Sequence, residues 1–169
     1  HDRAEMSGKR QPADEQAERV AAQCLCGAVK VDIQYPAFWA WHDHGRPSRL
    51  AHGAVYATYV GTWRKRFRIL KGKRTVKEYL DKETGNTRAF CSKCGTPVWY
   101  VRKSAPKWIN IPRALFTART GREPRYHLNY SELQDWIFTG AALGPLKNYP
   151  GVMYERPKRK KRNEPPPMF

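Results

Sequence analysis

The sequence has no apolar run approaching the about 18 residues needed to cross a membrane. Acidic residues are scarce: 15 Asp and Glu stand against 32 Lys and Arg, which gives a formal net charge of +17 over 169 residues. The chain also has no internal repeat, no Gly-rich phosphate loop, no G-x-S-x-G motif and no visible secretion signal. These absences disfavour a membrane-spanning protein, a P-loop enzyme, a serine hydrolase and a cationic partner, and no catalytic residue is predicted.

The size and composition favour one folded domain with tails. A chain of 169 residues with 40% hydrophobic and 12% aromatic residues can bury a core without disulfides. We expect an intracellular protein. The chain starts at His1 rather than Met, which fits either removal of an organellar targeting peptide, such as a mitochondrial one, or a trimmed start. A nuclear location is the alternative.

Three regions differ in composition. Residues 1–23 carry a net charge of −1, and Pro12 before Asp14 and Glu15 predicts a short helix over residues 13–22. Residues 24–116 are rich in strand signals. Residues 117–169 form a C-terminal extension in which Ser131 could open a short helix, residues 139–151 are loop-like and a basic, Pro-rich tail ends the chain.

The strand signals predict a mainly β fold with short terminal helices and extended tails. Apolar residues alternate with polar ones or cluster as β-branched and aromatic runs. The predicted strands cover residues 28–33, 54–60, 63–70, 76–80, 96–101 and 108–111, with a turn at 83–86.

Four cysteines stand in two close pairs, C-x-C at Cys24 and Cys26 and C-x-x-C at Cys91 and Cys94. Two tight pairs fit a closed, structural Zn²⁺ site with four thiolates, which would stabilise the fold and perform no chemistry. Gly27 and Gly95 follow the pairs and would let the backbone turn toward the sulfur atoms. The alternative is four free cysteines without a metal.

Three segments resemble the glutathione-dependent formaldehyde-activating enzyme family, which includes centromere protein V. They are Cys24-Leu25-Cys26-Gly27, Ala51-His52-Gly53-Ala54 and Phe90-Cys91-Ser92-Lys93-Cys94-Gly95-Thr96-Pro97. The resemblance covers about residues 24–116. It implies an Mss4-like β-rich fold, one structural zinc on the four cysteines, and an activity that joins or cleaves carbon–sulfur bonds on glutathione adducts.

The same resemblance implies a second, catalytic zinc on a C-x-C-x-x-C segment before His52-Gly53. The three cysteine positions correspond here to Asp43, Gly45 and Ser48, so all three thiolates are missing. A catalytic zinc needs about three protein ligands, and glycine offers none. His42, His44 and His52 are the candidates for a replacement metal site. The alternative is a solvated or hydrogen-bonded loop.

A basic surface is the remaining signal. Residues 64–77 contain eight basic residues and no acid, and strand alternation predicts Arg64, Arg66 and Arg68 on one face. Guanidinium groups in a row suit phosphates. The candidate anion-binding residues are Arg64, Arg66, Arg68, Lys71, Lys73, Arg74, Lys158, Arg159, Lys160, Lys161 and Arg162.

Together these observations favour a catalytically degenerate family member with one structural zinc that docks on nucleic acid or a ribonucleoprotein, such as an organellar ribosome, through its basic surface. An acidic protein surface is the other anionic partner, and a merely solvated face is the alternative to both. Two further functions stay open. One is a carbon–sulfur lyase acting on glutathione adducts with a rebuilt metal site, and the other is a protein-binding zinc adaptor.

Overall fold

The computed structural model describes residues 17–137 and 143–155, and in these residues the fold is mainly β, as predicted. One α-helix, α1, spans Arg46–His52. The strands of the described residues are β1 Arg19–Gln23, β2 Lys30–Gln34, β3 Trp39–Asp43, β4 Ala57–Trp63, β5 Phe67–Lys71, β6 Val76–Leu80, β7 Thr87–Cys91, β8 Pro97–Val101, β9 Trp108–Pro112, β10 Tyr126–Leu128, β11 Leu143–Pro145 and β12 Met153–Glu155.

The strands form two sheets. A three-stranded antiparallel sheet has the order β1-β2-β5, and a nine-stranded sheet has the order β11-β12-β10-β3-β4-β9-β8-β7-β6. Buried side chains of both sheets join one hydrophobic cluster, in which Val31 and Ile33 of β2 meet residues such as Ile109 and Ile111 of β9. Burial of these apolar side chains and the backbone hydrogen bonds between strands stabilise the part of the fold that carries the cysteines.

An ion cluster around the buried Asp32 stabilises the small sheet. The carboxylate of Asp32, on β2, lies 2.9 Å from a guanidinium nitrogen of Arg19 and 2.8 Å from one of Arg68. Burial opposes ionisation of Asp32, but hydrogen bonds and charges from Arg68 and Arg19 outweigh it and lower the pKa of the carboxyl. Arg68, which was predicted to bind anions on the surface, therefore also forms an ion pair with the buried Asp32.

The predicted N-terminal helix over residues 13–22 is wrong where the structure describes it. Residues 13–16 lie outside the described residues, and Arg19–Gln23 is the edge strand β1. Val20 and Ala22 are buried while Ala21 is exposed, which is the period of a strand. The free edge of β2 offers backbone partners to this segment, and pairing with β2 overrides a thin helical apolar pattern.

The predicted strand over residues 63–70 is interrupted. Trp63 ends β4, where it pairs with Trp108, and Arg64–Arg66 then form a 3₁₀ turn before β5 begins at Phe67. The chain crosses here from the large sheet to the small one, so one continuous strand cannot form. The expectation that Arg64, Arg66 and Arg68 share one strand face is therefore wrong.

The predicted short helix at Ser131 is a single 3₁₀ turn, Tyr130–Glu132. The C-terminal residues extend the large sheet instead: β10 pairs in parallel with β3, and β12 pairs with β10 and β11. The large sheet thus continues beyond residue 116. None of the helices in the described ranges has the length and apolarity that a membrane crossing requires.

Candidate metal centre and neighbouring polar network

The structure brings the two cysteine pairs together. We call Cys24, Cys26, Cys91 and Cys94 the cysteine cluster, and their four sulfur atoms all lie within 4.8 Å of one another. The Sγ atom of Cys26 lies 3.6 Å from that of Cys24 and 3.8 Å from that of Cys91. A tetrahedron with metal–sulfur distances of about 2.3 Å has edges of about 3.8 Å, so the spacing fits a metal ion held by four thiolates.

Local backbone turns explain this convergence. Cys24 follows β1 and Cys91 ends β7, and a turn comes after each. Gly27 has a φ of 69° and Gly95 a φ of 74°, as expected for the predicted turns. The N–H of Gly27 donates to the carbonyl of Cys24 at 3.0 Å, and that of Gly95 to the carbonyl of Cys91 at 2.8 Å. The turns therefore place both cysteines of each pair on one side.

Thr96 connects the two halves of the cysteine cluster. Its hydroxyl oxygen accepts the backbone N–H of Leu25 at 3.2 Å and lies 3.2 Å from the sulfur of Cys94. Hydrogen bonding to Thr96, first through its hydroxyl and then through its backbone, lowers the pKa of the Cys94 thiol to about 5. A thiolate at neutral pH is the form that ligates a metal. Four cysteine ligands fill a tetrahedral coordination shell, so a metal held by the cysteine cluster would have no open position for a substrate.

The three positions that the resemblance assigns to catalytic cysteines hold a buried hydrogen-bond network. Asp43 ends β3, and its Oδ1 accepts the N–H of Gly45 at 2.9 Å and the side-chain amide of Asn129 at 2.8 Å. Its Oδ2 accepts the hydroxyl of Ser48 at 2.7 Å. We call these residues the Asp43 network. Asp43 and Ser48 are buried, so these bonds satisfy polar groups that water cannot reach.

Gly45 is tightly enclosed by this network. A Cβ atom at position 45 would lie 2.9 Å from Nδ2 of Asn129 and 3.0 Å from Oδ1 of Asp43. Any side chain there, a cysteine included, would displace one of these partners. The Asp43 network therefore occupies the space that a side chain at position 45 would need.

Arg88 links the Asp43 network to a cavity. Its guanidinium donates to Oγ of Ser48 at 3.2 Å and to the hydroxyl of Tyr59 at 3.3 Å. Nε2 of His52 lies 2.7 Å from the same hydroxyl. Burial, followed by the charge of Arg88, lowers the pKa of His52 to about 4, and burial raises the pKa of Tyr59. The cavity beside them measures about 360 Å³, and aromatic side chains such as Tyr100 form part of its lining.

The candidate replacement ligands His42, His44 and His52 do not converge. His52 contacts Tyr59 and belongs to no ligand group within the described residues, so the structure does not bring the predicted set together. Instead, Nε2 of His44 lies 2.9 Å from Nδ1 of His127. The ligand atoms of His42, His127 and Glu155 all lie within 4.8 Å of one another. We call these three residues the histidine–glutamate cluster.

Nothing in the sequence pattern indicated His127 and Glu155. His127 stands alone in the segment Tyr126–Leu128, and it reaches His42 because β10 pairs in parallel with β3. His42 and His44 are buried enough that desolvation, with a smaller contribution from His127, lowers the pKa of each to about 4. At neutral pH both imidazoles are therefore uncharged.

The predicted basic residues of 64–77 lie on the surface in several elements. Arg64 sits in the 3₁₀ turn, Lys71 ends β5, and Lys73 and Arg74 lie in the connection to β6. All four side chains are exposed. Arg66 is half-buried and donates to the side-chain oxygen of Gln34 at 2.8 Å. The predicted tail residues Lys158, Arg159, Lys160, Lys161 and Arg162 lie outside the described residues.

An aromatic surface adjoins Arg64. The rings of Trp63 and Trp108 stack with centroids 4.1 Å apart, and Phe38 packs edge-on against Trp108 at 4.9 Å. Phe38 and Trp39 are 46% and 45% exposed, which is unusual for side chains of this size. Both line a groove of about 470 Å³ that also contains Arg122. We call this surface the aromatic groove.

The fold and the cysteine cluster define a mainly β, cysteine-stapled protein, and comparison with known proteins identifies its family. The family model for the glutathione-dependent formaldehyde-activating enzyme matches residues 19–132. The chain therefore belongs to the glutathione-dependent formaldehyde-activating enzyme family. No curated protein is significantly similar in sequence. Among solved structures, a crystal structure of a Rhodobacter sphaeroides protein is similar in fold, with a TM-score of 0.51 and 20% identity over 58% of this chain and 88% of that one.

Proposed function

We propose that this chain is a non-catalytic, zinc-stapled member of its family that binds RNA or a ribonucleoprotein. The observation that carries the proposal is the Asp43 network. A carboxylate, a glycine and a serine stand where the resemblance requires three thiolates, and they bond to one another and to Asn129. These positions supply one carboxylate, already engaged in three hydrogen bonds, instead of three thiolate ligands.

Zinc is the metal that the cysteine cluster suits best. Four thiolates at tetrahedral spacing are a donor set typical of structural zinc. The cluster connects β1 to β7, and hence the small sheet to the large one, across residues distant in sequence. Binding there would stabilise the folded state without exposing the metal to a substrate.

Two surface features support a nucleic-acid partner. The exposed cations of residues 64–77 offer contacts to phosphates, and a formal net charge of +17 favours association with a polyanion. Phe38 of the aromatic groove packs against Trp63, the residue before Arg64, and the groove presents rings on which unpaired bases can stack. Exposed aromatic residues also serve as anchors in protein–protein interfaces, so an acidic protein surface is the competing partner. Single-stranded RNA would use both features, the cations for its phosphates and the rings for its bases.

A salt series tests the proposal directly. Binding of a fluorescent single-stranded RNA is measured by anisotropy from low to moderate salt, for the wild type and for the variant Lys71→Glu, Lys73→Glu, Arg74→Glu. Each phosphate contact contributes about −0.7 to the slope of log K against log salt. We expect a clearly negative slope for the wild type, and a slope smaller in magnitude by about 2 for the variant if its three cations each contact a phosphate.

A control variant changes Lys82 and Lys103 to Glu, which reverses two charges where the first variant reverses three. Both are exposed, and they lie around the turn at the far end of β6, where a charge change should leave the slope close to that of the wild type. A wild-type slope near zero would remove nucleic acid from consideration. Equal slope changes per reversed charge in the two variants would show that only overall charge matters and that residues 64–77 form no binding surface.

A further inference from the structure

The edge of the large sheet carries a second group of ligand atoms, separate from the cysteine cluster. His42 lies on β3, His127 on β10 and Glu155 on β12, and these strands are neighbours in the order β12-β10-β3. Nε2 of His127 lies 3.0 Å from Oε1 of Glu155. The rings of His42 and His127 have centroids 4.7 Å apart, because the two residues are register partners in the parallel pair.

From this geometry we propose that His42, His127 and Glu155 form a three-ligand site for a divalent transition metal ion, with zinc as the best-matched ion. Two imidazoles and one carboxylate are a recurring zinc donor set that leaves a fourth position for water. Ligand atoms around tetrahedral zinc lie about 3.3 Å apart, given metal–ligand distances of about 2.0–2.1 Å. The observed spacing of 3.0 Å on one edge and at most 4.8 Å on the others needs only a modest closure.

Preorganisation of His127 supports the assignment. Its ring is buried, and Nδ1 is held by Nε2 of His44 at 2.9 Å, which leaves Nε2 directed toward Glu155. Metal-bound histidines commonly have their second ring nitrogen held by a polar partner in this way. His44 is thus a positioning residue. His42 is anchored by the hydroxyl of Thr58, 2.8 Å from its Nδ1.

The position of the histidine–glutamate cluster also gives a bound ion a structural role. The β10–β12 pairing joins only two residues of each strand and the β3–β10 pairing only three, so few backbone hydrogen bonds hold this edge. An ion bound by one residue from each strand would fasten the C-terminal strands to β3 and the rest of the large sheet. The net charge of +17 repels cations, so nonspecific electrostatic binding of a metal ion is disfavoured. An ion found at this cluster would therefore be held by coordination to its side chains.

The test uses the full chain carrying one equivalent of zinc, which fills the cysteine cluster. Co²⁺ is then titrated and followed by visible absorption, and Zn²⁺ is titrated by calorimetry. We expect a second equivalent to bind without the sulfur-to-cobalt charge-transfer absorption that thiolate ligands give. His42→Ala and Glu155→Gln should each weaken this second equivalent by at least about tenfold. Retention of the first zinc shows that each variant is folded.

His52→Ala is the matched control, since His52 is a half-buried histidine outside the histidine–glutamate cluster, and it should keep both equivalents. For the positioning residue, His44→Gln should restore much of the affinity that His44→Ala loses, because a glutamine amide can occupy the place of Nε2. A wild type that binds one ion only, or unchanged affinity in both ligand variants, overturns the assignment. RNA binding by Glu155→Gln should match the wild type, so this test and that of the proposed function fail independently.

Discussion

Replacement of Asp43 by alanine tests whether the Asp43 network now serves the structure. The change removes the acceptor of three hydrogen bonds, from Gly45, Ser48 and Asn129, at 2.7–2.9 Å. Hydrogen bonds to a charged acceptor contribute about 1.5–3 kcal/mol each, and water entering the vacated space recovers part of that. We expect Asp43→Ala to lower the free energy of unfolding by about 3–6 kcal/mol, a large share of the about 5–15 kcal/mol of an ordinary domain.

The assay is urea unfolding of zinc-saturated protein, followed by tryptophan fluorescence, with the m-value checked for constancy. Asp43→Asn keeps an acceptor for Gly45 and Asn129, so it should lose only about 1–2 kcal/mol. Asp135→Ala, at an exposed position, should stay within about 0.5 kcal/mol of the wild type. If the free energy of unfolding of Asp43→Ala is also within about 0.5 kcal/mol of the wild-type value, the Asp43 network does not stabilise the fold and the reasoning is refuted.

Three further predictions concern the metal, the ion cluster and the aromatic groove. Cys91→Ser should lose one zinc per chain by elemental analysis and unfold at lower urea, whereas Ser92→Ala, beside it in the turn, should keep the zinc; a zinc-free wild type of equal stability would contradict this. Asp32→Asn should be less stable than the wild type at neutral pH. Because the folded-state pKa of Asp32 is lowered, this difference should be present above about pH 4 and shrink as the pH falls through the folded-state pKa; a gap that does not change with pH would contradict the ion cluster. Trp39→Ala should weaken single-stranded RNA binding more than duplex binding, by about 1–3 kcal/mol per stacked base lost, and equal losses would exclude stacking.

Local signals predicted the parts of the fold that depend on local chemistry. Residues 76–80 form β6 as predicted, because a Gly72-containing turn precedes them and a turn at 83–86 follows. The two cysteine turns were equally visible, since a glycine with positive φ follows each pair. That the two cysteine pairs come together was predicted from the four-thiolate coordination typical of zinc and not from a predicted strand order.

The errors lie where a tertiary partner decided the outcome. Residues 19–23 became a strand because β2 offered an edge, and residues 64–66 turned because the chain changes sheets there. The histidine–glutamate cluster depends on a parallel pairing between β3 and β10, whose register partners His42 and His127 are 85 residues apart in sequence. A single sequence contains no register information over that distance, so His52 was grouped with His42 on proximity along the chain alone.

The most direct test of the central claim is the rate at which the zinc-loaded full chain exchanges formaldehyde with glutathione, measured by NMR. Glutathione and formaldehyde are the probes because the family model bears their names. With Asp43, Gly45 and Ser48 in place of three thiolates, we predict a rate equal to that of the uncatalysed mixture. A rate above that background which falls in Asp43→Asn, while the cysteine cluster keeps its zinc, would contradict the account.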